Sequence, residues 1–462
     1  MKFKLKESYL LLAIIIYSIF LRLIYLDSDS MWIDETISAT AAKAILTHGT
    51  PILDSGISYD RAIIFHYLMA FFILIFGGDF GARFISVIFG ALTVYLAYKF
   101  SKKFIKKNNL IFPILIALSS LEIIYSKQAR FYQAFQFLYF LSFYIFYKIA
   151  ILKEKIFSKK WMDYLALIVS VYSSIHLQPM GYIIIPLFVL IYIINFFSKK
   201  LLTNKYFIAF AILGLYFVYL IIASRLSTLD YNIIPRVISY FNLYISYYFN
   251  YIPLLIFLIL GIIFALKDKK FNLSLLVYSI IPFIGILFVK SFATRYEYFI
   301  LFPFFFYIAY CLSRIRYNYL VLIIMIFAFY GSVFDIDGIK YPNLDFSMPL
   351  ADYKAAYNYV NGSNLSIVSS WTPASTWYGE GADYALEYSI TGMSDDEWMF
   401  GNVTDTFANA TVIKNISNFP KNVLVILDEQ ARRKLSPNYL DFFSANCSQE
   451  FTAYNIEVLK CE

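Results

Sequence analysis

Long apolar stretches separated by short basic clusters organise the first 334 residues. The apolar stretches lie at 8–26, 81–100, 109–125, 131–151, 161–177, 180–197, 206–224, 246–266, 271–290, 296–312 and 317–334. Each is near the roughly 20 residues that a helix needs to cross a hydrocarbon core. Lys and Arg gather at Lys2, Lys4 and Lys6 and again at 102–107, 153–160, 199–205, 267–270 and 314–316. The positive-inside rule puts all of these clusters on one face. The pattern therefore predicts eleven crossings, a cytoplasmic N-terminus and an extracytoplasmic chain after residue 334. The first stretch is too long, and lacks the cleavage site, for a signal peptide. One more apolar segment, 63–76, has about 14 residues and falls short of a span. If it crossed, every later basic cluster would change sides, so it is expected to lie in, or dip into, the outer interface. Residues 27–80 then form one external loop. Within it the pattern predicts a helix over 35–47, with Asp34 available as its N-cap and Gly49-Thr50-Pro51 as its stop.

After residue 334 the pattern changes to short strands and amphipathic helices. Residues 354–360 and 429–443 read as helices, and 366–369, 423–427 and 455–459 as strands. Residues 335–462 are thus expected to be a small extracytoplasmic α/β domain, set apart from an all-α polytopic membrane module at 1–334. No nucleotide-binding fingerprint is present in it. It holds the Asn-x-Ser/Thr sites at Asn361, Asn364, Asn402, Asn409, Asn415 and Asn446, and the rest of the chain holds one, Asn272.

Composition agrees with the pattern. The chain has 462 residues, 60% hydrophobic, 21% aromatic and 15% charged, with a mean hydropathy of +0.64. These values lie outside the range of soluble domains. The net charge of +8 hides a split. Residues 1–334 hold 31 Lys+Arg against 14 Asp+Glu, and residues 335–462 hold 8 against 17. The basic excess is topological, so nucleic acid is not an expected partner. Of the three cysteines, Cys311 falls in a span, while Cys447 and Cys461 can either bridge or stay free.

The external segments collect the polar groups. Trp32-Ile33-Asp34-Glu35 follows the first span. Arg61 and His66 lie in the same loop, and Arg83 stands at the mouth of the next span. Lys127, Arg130 and Tyr132 fall in the second external loop, 225–240 forms a long later one, and Lys290, Thr294, Arg295, Tyr296 and Glu297 lie between two late spans. Each cation taken singly fits a lipid-headgroup contact, most readily Lys127 and Lys290. Asp34 by itself fits a helix cap. As a set, several outer cations facing a carboxylate pair suit one reaction. A transferase working outside the cell needs an activated sugar already carried across, and a polyprenyl phosphate sugar meets that need. A carboxylate accepts the proton of the attacking acceptor hydroxyl, and guanidinium groups hold the phosphate as it leaves.

These residues resemble a family. Trp32-Ile33-Asp34-Glu35, Gly49-Thr50-Pro51, Phe65-His66-Tyr67, the 76–84 segment FGGDFGARF, Ala129-Arg130-Phe131-Tyr132 and Thr294-Arg295-Tyr296 with Pro303 are similar to the C-type (GT-C) glycosyltransferases. Within that superfamily the likeness points to the protein O-mannosyltransferase and lipid A aminoarabinose transferase branch, over residues 1 to about 310. The resemblance implies inverting transfer from a polyprenyl (dolichyl-type) phosphate sugar, hexosyl or pentosyl, without cofactor or metal. It implies Asp34 as base and Glu35 as the neighbour that positions it or the acceptor. It implies a structural or donor-phosphate role for Arg83, and donor-phosphate contacts for Arg130, Arg295, Lys127, Tyr132 and Tyr296. Arg61 and His66 would meet the acceptor or sugar. The acceptor would be a glycan, a lipid or a protein, and the setting cell-envelope or protein glycosylation.

Three departures from the family stand out. Its aminoarabinose branch carries an acidic residue in the second external loop, whereas that loop is basic here and the nearest carboxylate, Glu122, falls inside a span. The large lumenal insertion of protein O-mannosyltransferases has no counterpart. Trp377-Tyr378-Gly379 lacks the aspartate of the oligosaccharyltransferase Trp-Trp-Asp motif. Asp27-Ser28-Asp29 has the look of a metal pair, though headgroup-level carboxylates at a helix end are commoner. The alternative reading is a transporter or flippase of lipid-linked glycans, for which an internal repeat or paired broken helices are expected; neither is evident. A receptor or scaffold leaves the Asp-Glu pair unexplained.

Overall fold

The computed structural model describes residues 7–105, 107–196, 254–268, 270–286, 294–315, 351–387 and 403–462, with a few isolated positions besides. Most of the expected spans at 206–224 and 317–334, the 225–240 loop, Lys290, Asn402 and the side chain of Tyr296 lie outside the described residues. The chain forms two compact units. One comprises residues 1–24, 86–127 and 131–344, and the other residues 25–85, 128–130 and 345–462.

The first unit is helical. Helix α1 spans Glu7–Leu23, α4 begins in the other unit and spans Gly78–Phe100, and α5 and α6 span Ile111–Leu118 and Ser120–Ser126. Helix α7 spans Tyr132–Phe146 and α8 Lys160–Leu177. Among the described residues, Gly78–Ile105, Tyr132–Ile151 and Pro179–Phe196 are long and apolar enough to cross a membrane. Exposed side chains on α8 include Trp161, Leu165, Ile168, Val169 and Tyr172, an outward face suited to lipid. The aromatic wealth of the sequence forms the interior. Phe104 stacks on Phe271 with ring centroids 3.5 Å apart, Phe146 stacks on Phe188 at 4.0 Å, and Phe100 meets Phe302 edge-on at 5.1 Å. The expected 109–125 span is divided at Ser119, whose extended backbone ends α5 and whose hydroxyl caps α6. Arg22 fills the gap, donating to the carbonyls of Ile116 and Ala117 at 3.3 and 3.1 Å. Buried carbonyls freed by such a break require a donor of this kind.

The second unit unites the first loop with the tail. Helix α2 spans Ile33–His48 and α3 spans Ile63–Phe76. Gly49 ends α2 in the left-handed conformation, φ 76°, as the Gly-Thr-Pro signal predicts. Helix α3 has the 14 residues expected, and Ile64, Leu68, Phe71 and Ile75 form an exposed apolar stripe along it. In the tail, β1 (Ser366–Ser369), β2 (Tyr384–Leu386), β3 (Thr411–Ile413), β4 (Val423–Asp428), β5 (Cys447–Ala453) and β6 (Ile456–Cys461) form one sheet in the order β3-β2-β1-β4-β6-β5. The first four are parallel neighbours, and β6 and β5 add antiparallel at the edge. Cys447 and Cys461 pair in this register and are bridged. Strand β4 is buried throughout, as its continuous apolar run predicts. The helix expected over 429–443 is two, Glu429–Lys434 and Pro437–Asn446. Pro437 drives Ser436 into extended backbone and starts the second helix instead of continuing the first.

Trp32, Ile33, Ile37, Ala41 and Leu53 of the first loop belong to the same hydrophobic core as Val368, Trp371, Ala374 and Val425 of the tail. Polar contacts reinforce it. Trp371 Nε1 donates to Thr36 Oγ1 at 2.9 Å, and Lys43 Nζ to the carbonyl of Thr376 at 2.6 Å.

Candidate active site

Helix α2 opens on Trp32, whose extended backbone makes it the N-cap. Asp34 is therefore not the cap that its residue type suggests; it sits on the first turn beside Glu35. Trp32, two residues earlier, occupies the cap because Glu35 reaches back to it, Oε2 accepting from the Trp32 N–H at 3.3 Å. Glu35 also accepts from the Ala129 N–H at 2.6 Å, from Arg83 Nε at 2.9 Å and from Arg83 Nη2 at 3.0 Å. Four donors saturate this carboxylate, which is sealed from solvent.

Arg83 is equally committed. Besides the two bonds to Glu35, Nη1 donates to the carbonyls of Leu26 and Asp29 at 2.8 and 2.9 Å, and Nη2 to that of Ser30 at 3.3 Å. All five guanidinium N–H groups are engaged within the protein. The 76–84 segment makes this reach practicable. Gly77, at φ 71°, turns the chain between α3 and α4, and a Cβ on Gly81 would lie 2.7 Å from the carbonyl oxygen of Phe72. The close crossing of α3 and α4 at Gly81 lets Arg83 extend under the first loop.

One turn before Arg83, Asp79 anchors the start of α4 to the tail. Its oxygens accept from Trp377 Nε1 at 2.8 Å and the Tyr378 hydroxyl at 3.0 Å, with Lys354 Nζ 3.5 Å away. Burial pushes the Tyr378 hydroxyl up, the Asp79 carboxylate adds to the rise and Arg83 opposes it. The phenol keeps its proton and stays a donor. The Trp-Tyr-Gly stretch thus has an aspartate partner, supplied from outside the tail. Sequence reading did not give Asp79 a role, although its place between two glycines and four residues ahead of Arg83 was a usable sign.

Asp34 differs from its neighbour. Its side chain keeps 18% of its accessible surface, and Arg130 Nη2 lies 3.5 Å from Oδ2. Arg130 Nη1 donates to the Asp34 carbonyl at 3.0 Å and to Ser38 Oγ at 2.7 Å. The guanidinium is buried and fixed, and the carboxylate beside it remains reachable. Arg61 is exposed, while His66 is buried on α3 with its ring 5.4 Å from that of Tyr59. Burial takes His66 out of reach of an acceptor in this conformation.

The remaining candidates belong to the helical unit. Lys127 Nζ donates to the carbonyl of Ile24, just past the end of α1. Tyr132 begins α7 and is buried against Tyr125, ring centroids 5.9 Å apart. Arg295 and Tyr296 lie on a 3₁₀ turn, Thr294–Ile300. Tyr298 pins that turn, its hydroxyl 2.5 Å from Glu122 Oε2, while Gln136 Nε2 donates to Glu122 Oε1 at 2.8 Å. Glu122 is wholly buried and serves as an anchor within the helices.

No family model matches the chain. A protein of Aquifex aeolicus without an assigned function is 26% identical over 267 residues, 53% of this chain and 52% of its own length. The chain therefore matches about half the length of that relative. Two structures of ArnT from Cupriavidus metallidurans, apo and bound to undecaprenyl phosphate, superpose with a TM-score of 0.63 at 9% identity over 98% of each chain. The Archaeoglobus fulgidus oligosaccharyltransferase tethered to an acceptor peptide superposes with a TM-score of 0.51 at 12% identity, over 92% of this chain and 70% of its own. The expected resemblance is met at the level of fold: the neighbours are a lipid A aminoarabinose transferase and an archaeal oligosaccharyltransferase, both of the GT-C superfamily.

Proposed function

We propose that the chain is an integral-membrane inverting glycosyltransferase. It takes a sugar from a polyprenyl phosphate donor and places it on an acceptor hydroxyl at the extracytoplasmic face. Asp34 accepts the hydroxyl proton as the oxygen attacks the anomeric carbon. The bond from that carbon to the phosphate oxygen breaks on the opposite side, its electron pair stays on the phosphate, and polyprenyl phosphate leaves. Arg130 complements the charge at this centre. Arg295, Tyr296, Tyr132 and Lys127 are assigned to the donor phosphate by the family resemblance. Glu35 and Arg83 position Asp34 through the rigid start of α2.

One observation carries this reading. Of two adjacent carboxylates, Glu35 is saturated by four donors while Asp34 stays reachable beside a buried arginine. A pair with only a structural purpose has no need of that asymmetry. The undecaprenyl phosphate bound in one of the ArnT structures is consistent with the donor class. The proposed topology has eleven crossings, a cytoplasmic N-terminus and the 345–462 domain outside. Its disulfide and the five described sequon asparagines of the tail, Asn361, Asn364, Asn409, Asn415 and Asn446, all exposed, support that side. Asn272, 3% exposed, is unavailable.

Purified protein incubated with a labelled polyprenyl phosphate sugar and an envelope extract should release free polyprenyl phosphate in step with glycosylated product. A flippase would move the donor across a vesicle membrane and leave it intact, and that outcome would replace the enzyme reading.

A further inference from the structure

The helical unit holds a cavity of about 840 Å³ whose lining includes none of the candidate active-site residues. Basic residues from two of the loop clusters line it, and other lining residues lie next to further clusters in the sequence. Lys103 and Lys107 come from the first cluster and Arg314 from the last. Leu152 precedes the second, Asn195 the third, and Asn272 follows the fourth. Its volume falls within the range of ligand sites.

Three features of the wall define what it would take. The first is positive charge. Lys103 pairs with Glu154, which also has Lys148 3.7 Å away. Arg314 is held over the Tyr310 ring at 4.5 Å, with Nη2 donating to the Tyr310 hydroxyl at 3.0 Å. Lys107 is exposed at the rim. The second is an apolar portion supplied by Phe104, Ile151 and Phe271. The third is a buried acceptor. Asn272 Nδ2 donates to the carbonyl of Ala265 at 2.8 Å, which fixes the amide orientation. Among the described residues Asn272 Oδ1 then has no hydrogen-bond partner, although the residue is 3% exposed. A buried acceptor in this state is unfavourable until a donor arrives.

We infer that this cavity binds an anionic membrane phospholipid with a hydroxyl-bearing headgroup. The phosphate meets Lys103, Lys107 and Arg314, the headgroup hydroxyl serves Asn272 Oδ1, and the first acyl segments lie along the apolar wall. Free phosphate satisfies only the first requirement, and a choline headgroup lacks the donor. A lipid held there joins the described segments that line the cavity, and binding to the folded state alone raises stability.

The test uses delipidated full-length protein in neutral detergent and follows its thermal midpoint. The probes are dioctanoyl phosphatidylglycerol, dioctanoyl phosphatidylcholine and inorganic phosphate. Phosphatidylglycerol should raise the midpoint in a saturable way, and the other two at equal concentration should not. The apparent affinity should fall at least tenfold in Asn272→Leu and in the doubly substituted Lys107→Gln/Arg314→Gln protein. Should Asn272→Leu fail to fold, the double variant decides, because its side chains are at the rim. Equal shifts with both lipids, a full shift with inorganic phosphate, or unchanged affinity in the double variant would overturn the assignment.

Discussion

Glu35 and Asp34 are one backbone step apart and differ in what they can do. Glu35 has no lone pair left for a substrate, because Arg83, Trp32 and Ala129 occupy its oxygens. Removing its charge leaves the buried guanidinium of Arg83 uncompensated, a change that typically costs 3–5 kcal/mol. Glu35→Gln should therefore lower the thermal midpoint sharply, read by unfolding in detergent. Asp34→Asn should leave it near the parent value, since the Asp34 side chain is partly solvated and its pairing with Arg130 spans 3.5 Å. A midpoint for Glu35→Gln equal to the parent would show that the clamp does not hold the loop.

At the scale of elements, the 76–84 segment links sequence to geometry most directly. Gly77 makes the turn, Gly81 permits the helix crossing, and Asp79 and Arg83 reach the tail and the first loop from one face of α4. Adding a Cβ at Gly81 forces α3 away from α4, since the Phe72 carbonyl oxygen and Ile73 Cα lie 2.7 and 2.8 Å from it. Gly81→Ala should cost about 1–3 kcal/mol and reduce turnover by shifting Arg83. Full stability and activity in that variant would place the crossing elsewhere. Much of this scale was legible. Helices α2 and α3, the Gly49 stop, strands β1 and β4 and the last strand appear near their expected places, because apolar periodicity and turn residues act locally. The misses are long-range. Asp34 looked like a cap, but the cap is set by where Glu35 reaches. Residues 372–378 fold as a helix because they pack on α2, and β2 and β3 are three-residue strands too short to produce a pattern. The role of Asp79 depends on Trp377 and Tyr378, nearly 300 positions away in the chain, and no local signal encodes that pairing.

For the whole molecule, hydropathy predicted a helical membrane part and an outer α/β domain, and both classes of structure are present. It did not reveal that the first loop and the tail share one core, with Trp32 and Trp371 buried in the same cluster. The tail thereby supports the very helix that carries Asp34. Under the proposed topology, the shared core puts the first loop and the described part of the tail on one face of the membrane. Thiols introduced at Ser363 and at Asp54, both outside the core cluster, should react together with an impermeant maleimide added to intact cells, and one at Lys107 should not. The native background is low, because Cys311 is buried and Cys447 and Cys461 are bridged. Labelling of Lys107 from outside together with protection of Ser363 would invert the topology.

The central claim is that Asp34 takes the acceptor proton, and turnover measured alongside donor binding in Asp34→Asn tests it most directly. The substitution keeps the side-chain volume and removes the proton acceptor. The account predicts that sugar transfer falls by about 10²–10⁴-fold while the affinity for polyprenyl phosphate stays within a few-fold of the parent. Turnover at the parent rate, with donor binding intact, would contradict it.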